Sequence, residues 1–213
     1  MHLRYIAMLA IVAAANAQNT VDAPFQVRYA ANTGVGESYI NIVNDGANGA
    51  PLLGPGLGDP TGNICVNVFA FAPDQQLMSC CSCLVTPNAL VNLGVTRDLL
   101  SNPLTPVTPV SVVVKLVATL AGPGGGGISC TNSAALVATA TKVPGMLAWG
   151  TSNHSPPNGS VGYQMTETAF TPAILSQGEL DSMAYRCGFM IGNGGGYGIC
   201  RSCRAGALGA ARR

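Results

Sequence analysis

Eight cysteines constrain this chain more than any other feature. Cys65, Cys80, Cys81, Cys83, Cys130, Cys187, Cys200 and Cys203 all lie well past the N-terminus. An even set of this kind reads as disulfides in an exported chain, and as metal ligands or catalytic thiols in a reducing compartment. The N-terminus decides between these readings. Met1-His2-Leu3-Arg4 is followed by an apolar run up to Ala15 and then by Ala15-Asn16-Ala17. A positive charge, a short apolar stretch and a small-x-small ending are the parts of a secretory signal peptide. The stretch is too short to cross a bilayer, which takes about 20 residues. Segment 1–17 is therefore expected to be removed, and the mature chain to be secreted or held at the cell surface. A later apolar run, 110–120, is interrupted by Lys115 and gives no membrane span.

Connectivity does not follow from spacing, because eight cysteines allow 105 pairings. One pairing has a geometric basis. Ile64–Phe71 and Leu77–Val85 flank a turn at Pro73-Asp74-Gln75. As a hairpin they place Cys65 opposite Cys83, with Cys81 on the diagonal, so Cys65 is expected to bond one of these two. Cys80/Cys83 and Cys200/Cys203 are both C-x-x-C pairs, and two such pairs can make a zinc site. Their wide separation and the signal peptide favour disulfides, so no metal is expected.

Composition narrows the class. Hydrophobic residues make up 48% and charged residues only 9%, against about 25% charged in an ordinary domain. Of ten Lys+Arg, removing Arg4 leaves nine, against nine Asp+Glu, so the mature chain is neutral. A neutral chain lacks the basic face that nucleic-acid binding requires.

Short β-like runs fill most of the chain. Val21, Ala23, Phe25, Val27 and Tyr29 alternate with polar residues or proline, the period-two mark of a strand with one buried face. Pro24 cannot donate to a ladder, so that strand is expected at an edge or paired on one side there. Further runs lie at 38–43, at Ile64–Phe71 and Leu77–Val85, and at 89–95, 111–120, 136–142, 146–150 and 161–169. They alternate with Gly- and Pro-rich loops at 46–62, 105–109 and 122–127. The pattern predicts a mainly β chain, an antiparallel sandwich or barrel-like domain. Lys115 within the 111–120 run suggests an exposed edge strand.

One helix is well specified over 177–191. Ser176 and Glu179 form a capping box and Leu175 and Leu180 a staple. Leu180, Met183, Ala184, Cys187, Met190 and Ile191 recur at helical spacing, and Gly192-Asn193-Gly194 supplies the stop. The expected organisation is a signal peptide (1–17), a β-rich domain (18–170), and a C-terminal helix with a disulfide-stapled tail (171–213) packed on the same domain.

Signs of catalysis are weak. After cleavage His154 is the sole histidine, there is no G-x-S-x-G, and neither glycine run has the context of a phosphate or dinucleotide loop. Glu167 and Glu179 are acids that no pattern singles out. No catalytic residue, no cofactor and no enzymatic activity are expected. Asn153-His154-Ser155 and Asn158-Gly159-Ser160 fit the N-glycosylation pattern, so Asn153 and Asn158 are candidate modification sites in an exposed loop.

The segments Ile64-Cys65-Val66-Asn67-Val68, Cys80-Cys81-Ser82-Cys83-Leu84-Val85-Thr86-Pro87-Asn88, Ser129-Cys130-Thr131-Asn132-Ser133 and Cys200-Arg201-Ser202-Cys203-Arg204-Ala205-Gly206 resemble a family of uncharacterised, secreted, cysteine-rich bacterial proteins. The resemblance implies bacterial origin and export. It brings no activity, cofactor or site residue.

Two functions are compatible with these features. The first is an extracellular structural protein, a pilus-like filament or surface-layer subunit with itself as partner. In that reading segment 18–30, with Val21, Ala23, Phe25, Val27 and Tyr29, adds as a strand to a neighbour's sheet. The alternative is a secreted carbohydrate-binding module with Trp149, Tyr163 and Tyr197 as its platform, although a lone Trp is more often core.

Overall fold

The structure is a computed structural model that describes residues 23–53, 59–121, 129–156, 162 and 164–201. The expected signal peptide (1–17), Val21, Asn158, Tyr163 and Cys203 lie outside the described residues. Among the described residues there are nine strands: β1 (Phe25–Ala30), β2 (Tyr39–Asn44), β3 (Ile64–Phe71), β4 (Leu77–Val85), β5 (Leu90–Gly94), β6 (Val112–Leu120), β7 (Met146–His154), β8 (Gln164–Ala169) and β9 (Thr171–Pro172). One helix, α1 (Gln177–Gly192), follows them. The strands form two antiparallel sheets, ordered β4-β3-β6-β1-β9 and β5-β2-β7-β8. The chain is thus a β-sandwich with a C-terminal helix and disulfides that reach into the C-terminal segment.

β3 explains the layering. Seven of its eight residues are buried, so both of its faces must be covered. Val66, Val68 and Ala70 point into the sandwich, with Ile40, Ile42 and Met146 of the second sheet. Phe69 points the other way and packs with Leu180, Met183 and Cys187 of α1. The molecule has three layers: helix, five-stranded sheet, four-stranded sheet.

The helix forms where its sequence predicts. Ser176 Oγ accepts from the Glu179 backbone N–H at 3.2 Å. Leu180, Met183, Ala184, Cys187 and Met190 are buried. After it, the chain returns along β4: the Cys80 N–H donates to the Gly198 carbonyl at 2.8 Å, and Cys80 bridges Ile199.

The disulfides are Cys65–Cys130, Cys80–Cys187 and Cys81–Cys200, and Cys83 is also disulfide-bonded. Adjacent Cys80 and Cys81 face opposite sides of β4. One therefore holds the helix on the outside and the other holds the tail from the inside.

The expected bond from Cys65 to Cys83 or Cys81 is not made, and the reason is a β-bulge. Next to the turn, Phe71 pairs with Leu77, the register that the turn residues predict. Ala70 then pairs with Ser79, so Met78 is the extra residue. From there the register is shifted by one: Cys65 opposes Leu84, and Val66 opposes Cys83. A one-residue shift flips a side chain to the other face. Cys83 therefore turns to the inner face with Val66 and Val68, while Cys65 stays on the outer face of β3 with Ala121 and Cys130.

Three other expectations are corrected. Segment 136–142 is not a strand. A 3-10 turn at Ser133–Leu136 is followed by irregular chain that touches the sheet through one Thr119–Lys142 bridge. β6 is not an edge strand but lies between β3 and β1. Its Lys115 ion-pairs with Glu179 of α1 and sits 5.0 Å from the Phe71 ring centroid.

The third correction concerns β1. Its alternation is real, but its apolar residues face away from the sandwich. Phe25 is buried under α1, Val27 is half-buried, and Tyr29, beyond the helix, is 61% exposed. The polar set Gln26 and Arg28 is the one between the sheets, 4% and 9% exposed.

Candidate functional site

Polar residues survive between the sheets because each finds partners there. Gln26 Nε2 donates to the Met146 carbonyl at 2.7 Å. Arg28 Nε donates to Thr168 Oγ1 at 3.2 Å, Nη1 to the Thr151 carbonyl at 3.3 Å and Nη2 to Ser152 Oγ at 3.1 Å. Burial pulls the Arg28 pKa below its ordinary value, and the nearby Glu167 carboxylate opposes that pull. Gly150 makes room for this arginine: a Cβ there would lie 2.3 Å from Arg28 Nη1. Arg28 is thus a polar strut from β1 to β7 and β8.

The strut marks a side of the sandwich left open. All six residues of β8 are exposed. Met165, Glu167 and Ala169 pair with outward residues of β7, so their exposure is ordinary. Gln164, Thr166 and Thr168 face the first sheet, as the Arg28–Thr168 bond shows, yet they are exposed too. On that side β1 pairs with β9 only at Gln26 and Val27. Among the described residues, no strand of the first sheet pairs with or lies opposite most of β8, and none hydrogen-bonds to its outer edge. The other edges differ. Segment 198–200 runs along β4, β9 has two residues, one a proline, and β5 buries Val91, Leu93 and Gly94.

A second uncovered surface is the outer face of the four-stranded sheet. Pairing places Asn92, Asn41, Trp149 and Ala169 in one row, and Gly94, Tyr39, Thr151 and Glu167 in the next. Asn92 Nδ2 donates to Asn41 Oδ1 at 2.7 Å, and Asn41 Nδ2 donates to Glu167 Oε1 at 3.4 Å. Trp149 is half-buried beside this relay. The Arg97 guanidinium sits 6.0 Å from the Tyr39 ring centroid. Arg97 is tied to buried Asp98 at 2.6 Å, and that bond raises its pKa.

The sequence-derived platform is only partly assembled. Trp149 lies in the middle of this face. Tyr197 is elsewhere, lining an open groove with Arg97, Leu100, Asn102 and the 103–108 segment, and Tyr163 lies outside the described residues. Tyr39, Asn41, Asn92 and Glu167 were not singled out by sequence. The signal was present: in Tyr39-Ile40-Asn41-Ile42-Val43 the isoleucines are core, so the alternate residues point outward.

Asn153 is not in an exposed loop. It lies in β7, one residue before its end, is 5% exposed, and donates from Nδ2 to the Glu37 carbonyl at 2.6 Å. The nitrogen that would carry a sugar is engaged inside the fold. His154 Nε2 lies 3.0 Å from Thr166 Oγ1. Among the described residues, no three His, Cys, Asp or Glu side chains come together to hold an ion. No helix there is long and apolar enough to cross a membrane.

Against models of known families, curated proteins and solved structures, the chain gives no match.

Proposed function

We propose that this chain is an exported, disulfide-stapled structural subunit of a bacterial surface or filament, and that it assembles with copies of itself. The observation that carries the reading is β8. It is a six-residue edge strand, exposed on both faces, on a side of the sandwich where, among the described residues, the first sheet has no strand opposite most of it. An unpaired edge of this kind is a template for an added strand. Soluble proteins usually blunt such edges with lysine or proline. β8 reads Gln-Met-Thr-Glu-Thr-Ala: it carries neither, and Glu167, on its outward face, is its one charge. The neutral mature chain keeps repulsion between copies small, and the disulfides and signal peptide fit a life outside the cell.

The strand-addition reading changes in one respect. Phe25–Ala30 pairs with β6 along its whole length, so residues 25–30 are occupied within their own domain. The free element is the acceptor edge. Replacing Thr166 by lysine puts a charge on the uncovered side of β8. Size-exclusion chromatography with light scattering of the mature protein should show assemblies for the parent and monomers for Thr166→Lys, with identical circular dichroism. Assemblies of unchanged size in the variant would rule out the β8 edge as the contact.

A further inference from the structure

We infer that the outer face of the four-stranded sheet binds a neutral glycan chain, with Trp149 as its stacking platform and the Asn92–Asn41–Glu167 relay as its hydrogen-bonding partner. The inference does not rest on the assembly reading. It concerns the broad face of the sheet, not its edge.

The first reason is access. Among the described residues, α1 and the returning segment 198–200 both lie on the other sheet. Tyr39, Asn41, Asn92 and Trp149 are each half-buried, and Leu90 at the end of β5 is 51% exposed. The residue opposite Trp149 on β8 is Ala169, too small to cover an indole. The second reason is chemistry. A sugar ring presents an apolar C–H face and a rim of hydroxyls, each both donor and acceptor. A partly exposed indole suits the first. The relay suits the second: Asn41 and Asn92 each retain an N–H, Asn92 retains its carbonyl oxygen, and Glu167 retains Oε2. The Asn92–Asn41 bond fixes the two amides in place, so little side-chain freedom is lost on binding.

The third reason is charge. Among the described residues Glu167, Glu37 and Arg97 are the charged groups of this face: the Glu37 carboxylate lies against Gly94 and accepts from the Thr96 and Arg97 backbone N–H groups, and Arg97 is engaged by Asp98. A phosphate, sulfate or uronate chain would meet a carboxylate with no free cation beside it, so the ligand is uncharged. A second copy stacked face to face would bury the same carboxylate and amides without new partners, which is unfavourable. A flat face four strands wide, about 14 Å at ordinary strand spacing, accepts an extended chain better than a single small molecule.

Trp149 is the only tryptophan, so its fluorescence reports this site alone. The mature protein, and separately its Thr166→Lys variant, are titrated with cello-, manno-, xylo- and chito-hexasaccharides, with oligogalacturonate as the acidic control. At least one neutral oligosaccharide should give a saturable change in emission, and oligogalacturonate none. Asn41→Ala should weaken that binding at least about 30-fold while leaving the fold intact, as for a central contact residue. Trp149→Ala, followed by calorimetry, should weaken it as much. The inference is overturned by no saturable change with any neutral probe, by binding of the acidic probe alone, or by a folded Trp149→Ala variant that binds as the parent does. Glycan binding retained in a monomeric Thr166→Lys variant separates this site from the assembly edge.

Discussion

Full reduction of the disulfides is expected to unfold the domain at 25 °C. Removing the Cys80–Cys187 bond alone should leave it folded, with Tm lower by about 6–12 °C. The difference follows from which loops the bonds close. In the chain-entropy view a bond across about 100 residues contributes about 4.7 kcal/mol, and one across about 15 residues contributes about 3. Cys80–Cys187 spans 107 residues and Cys81–Cys200 spans 119. Cys80 and Cys81 are neighbours, however, and Cys187 and Cys200 are only 13 apart (200 minus 187). With Cys81–Cys200 in place, the second bond closes only this short loop. Its loss costs about 3 kcal/mol, and each kcal/mol moves Tm by about 2–4 °C in a domain of this size. Full reduction also releases the longer loop and the 65-residue loop of Cys65–Cys130. The sum exceeds about 10 kcal/mol, comparable to the whole stability of a typical domain, about 5–15 kcal/mol. Circular dichroism melts of the parent, the reduced protein and the Cys80→Ser/Cys187→Ser variant make the comparison. A reduced protein with an unchanged melt would contradict the role given to the bonds.

Gly62→Ala is expected to destabilise the domain by about 3–5 kcal/mol, the range of severe single substitutions. Gly62 has φ +76°, and a Cβ on it would lie 1.8 Å from the Gly49 carbonyl oxygen and 2.8 Å from Pro87 Cγ. The backbone itself must move. The surrounding network resists that movement. Asn44, 1% exposed, donates from Nδ2 to the carbonyls of Gly62 at 2.8 Å and Val85 at 2.9 Å. Its own carbonyl accepts from the Asn88 N–H at 2.9 Å. One side chain thus ties the end of β2 to the start of β3 and the end of β4. Gly178→Ala is the control. Nothing lies within 4 Å of its Cβ position in the first turn of α1, so alanine should be neutral or stabilising by up to about 1 kcal/mol. Urea unfolding of both variants tests the contrast. Equal midpoints would show that the Gly62 turn relaxes without cost.

The elements that were legible in the sequence are those specified locally. The capping box at Ser176 and the spacing of Leu180, Met183 and Cys187 place α1 to within a residue of its observed end. Period-two alternation locates β1 and β2, and short β-like runs between Gly- and Pro-rich loops locate β3, β4 and β6. What escaped depends on partners distant in sequence. The bulge at Met78 is a one-residue event, and it reverses the face of every cysteine beyond it. β1 shows its alternation plainly, but which face is the inner one depends on α1 covering Phe25 and on Arg28 finding Thr151, Ser152 and Thr168 over 120 residues away. For the candidate surfaces, Trp149 is visible from composition alone. Its neighbours Asn41, Asn92 and Glu167 come from three strands and meet only once sheet order and register are set.

Hydrogen–deuterium exchange of the mature protein, compared between the parent at assembling concentration and the monomeric Thr166→Lys variant, tests the assembly edge most directly. Backbone amides at the solvent edge of β8 exchange freely in a monomer and become protected when a strand is added. The expected result is new protection over residues 164–169 in the assembled protein, with the buried β3 and β6 equally protected in both samples. Assembled protein in which 164–169 exchanges as fast as in the monomer, while another surface gains protection, would contradict assembly through β8.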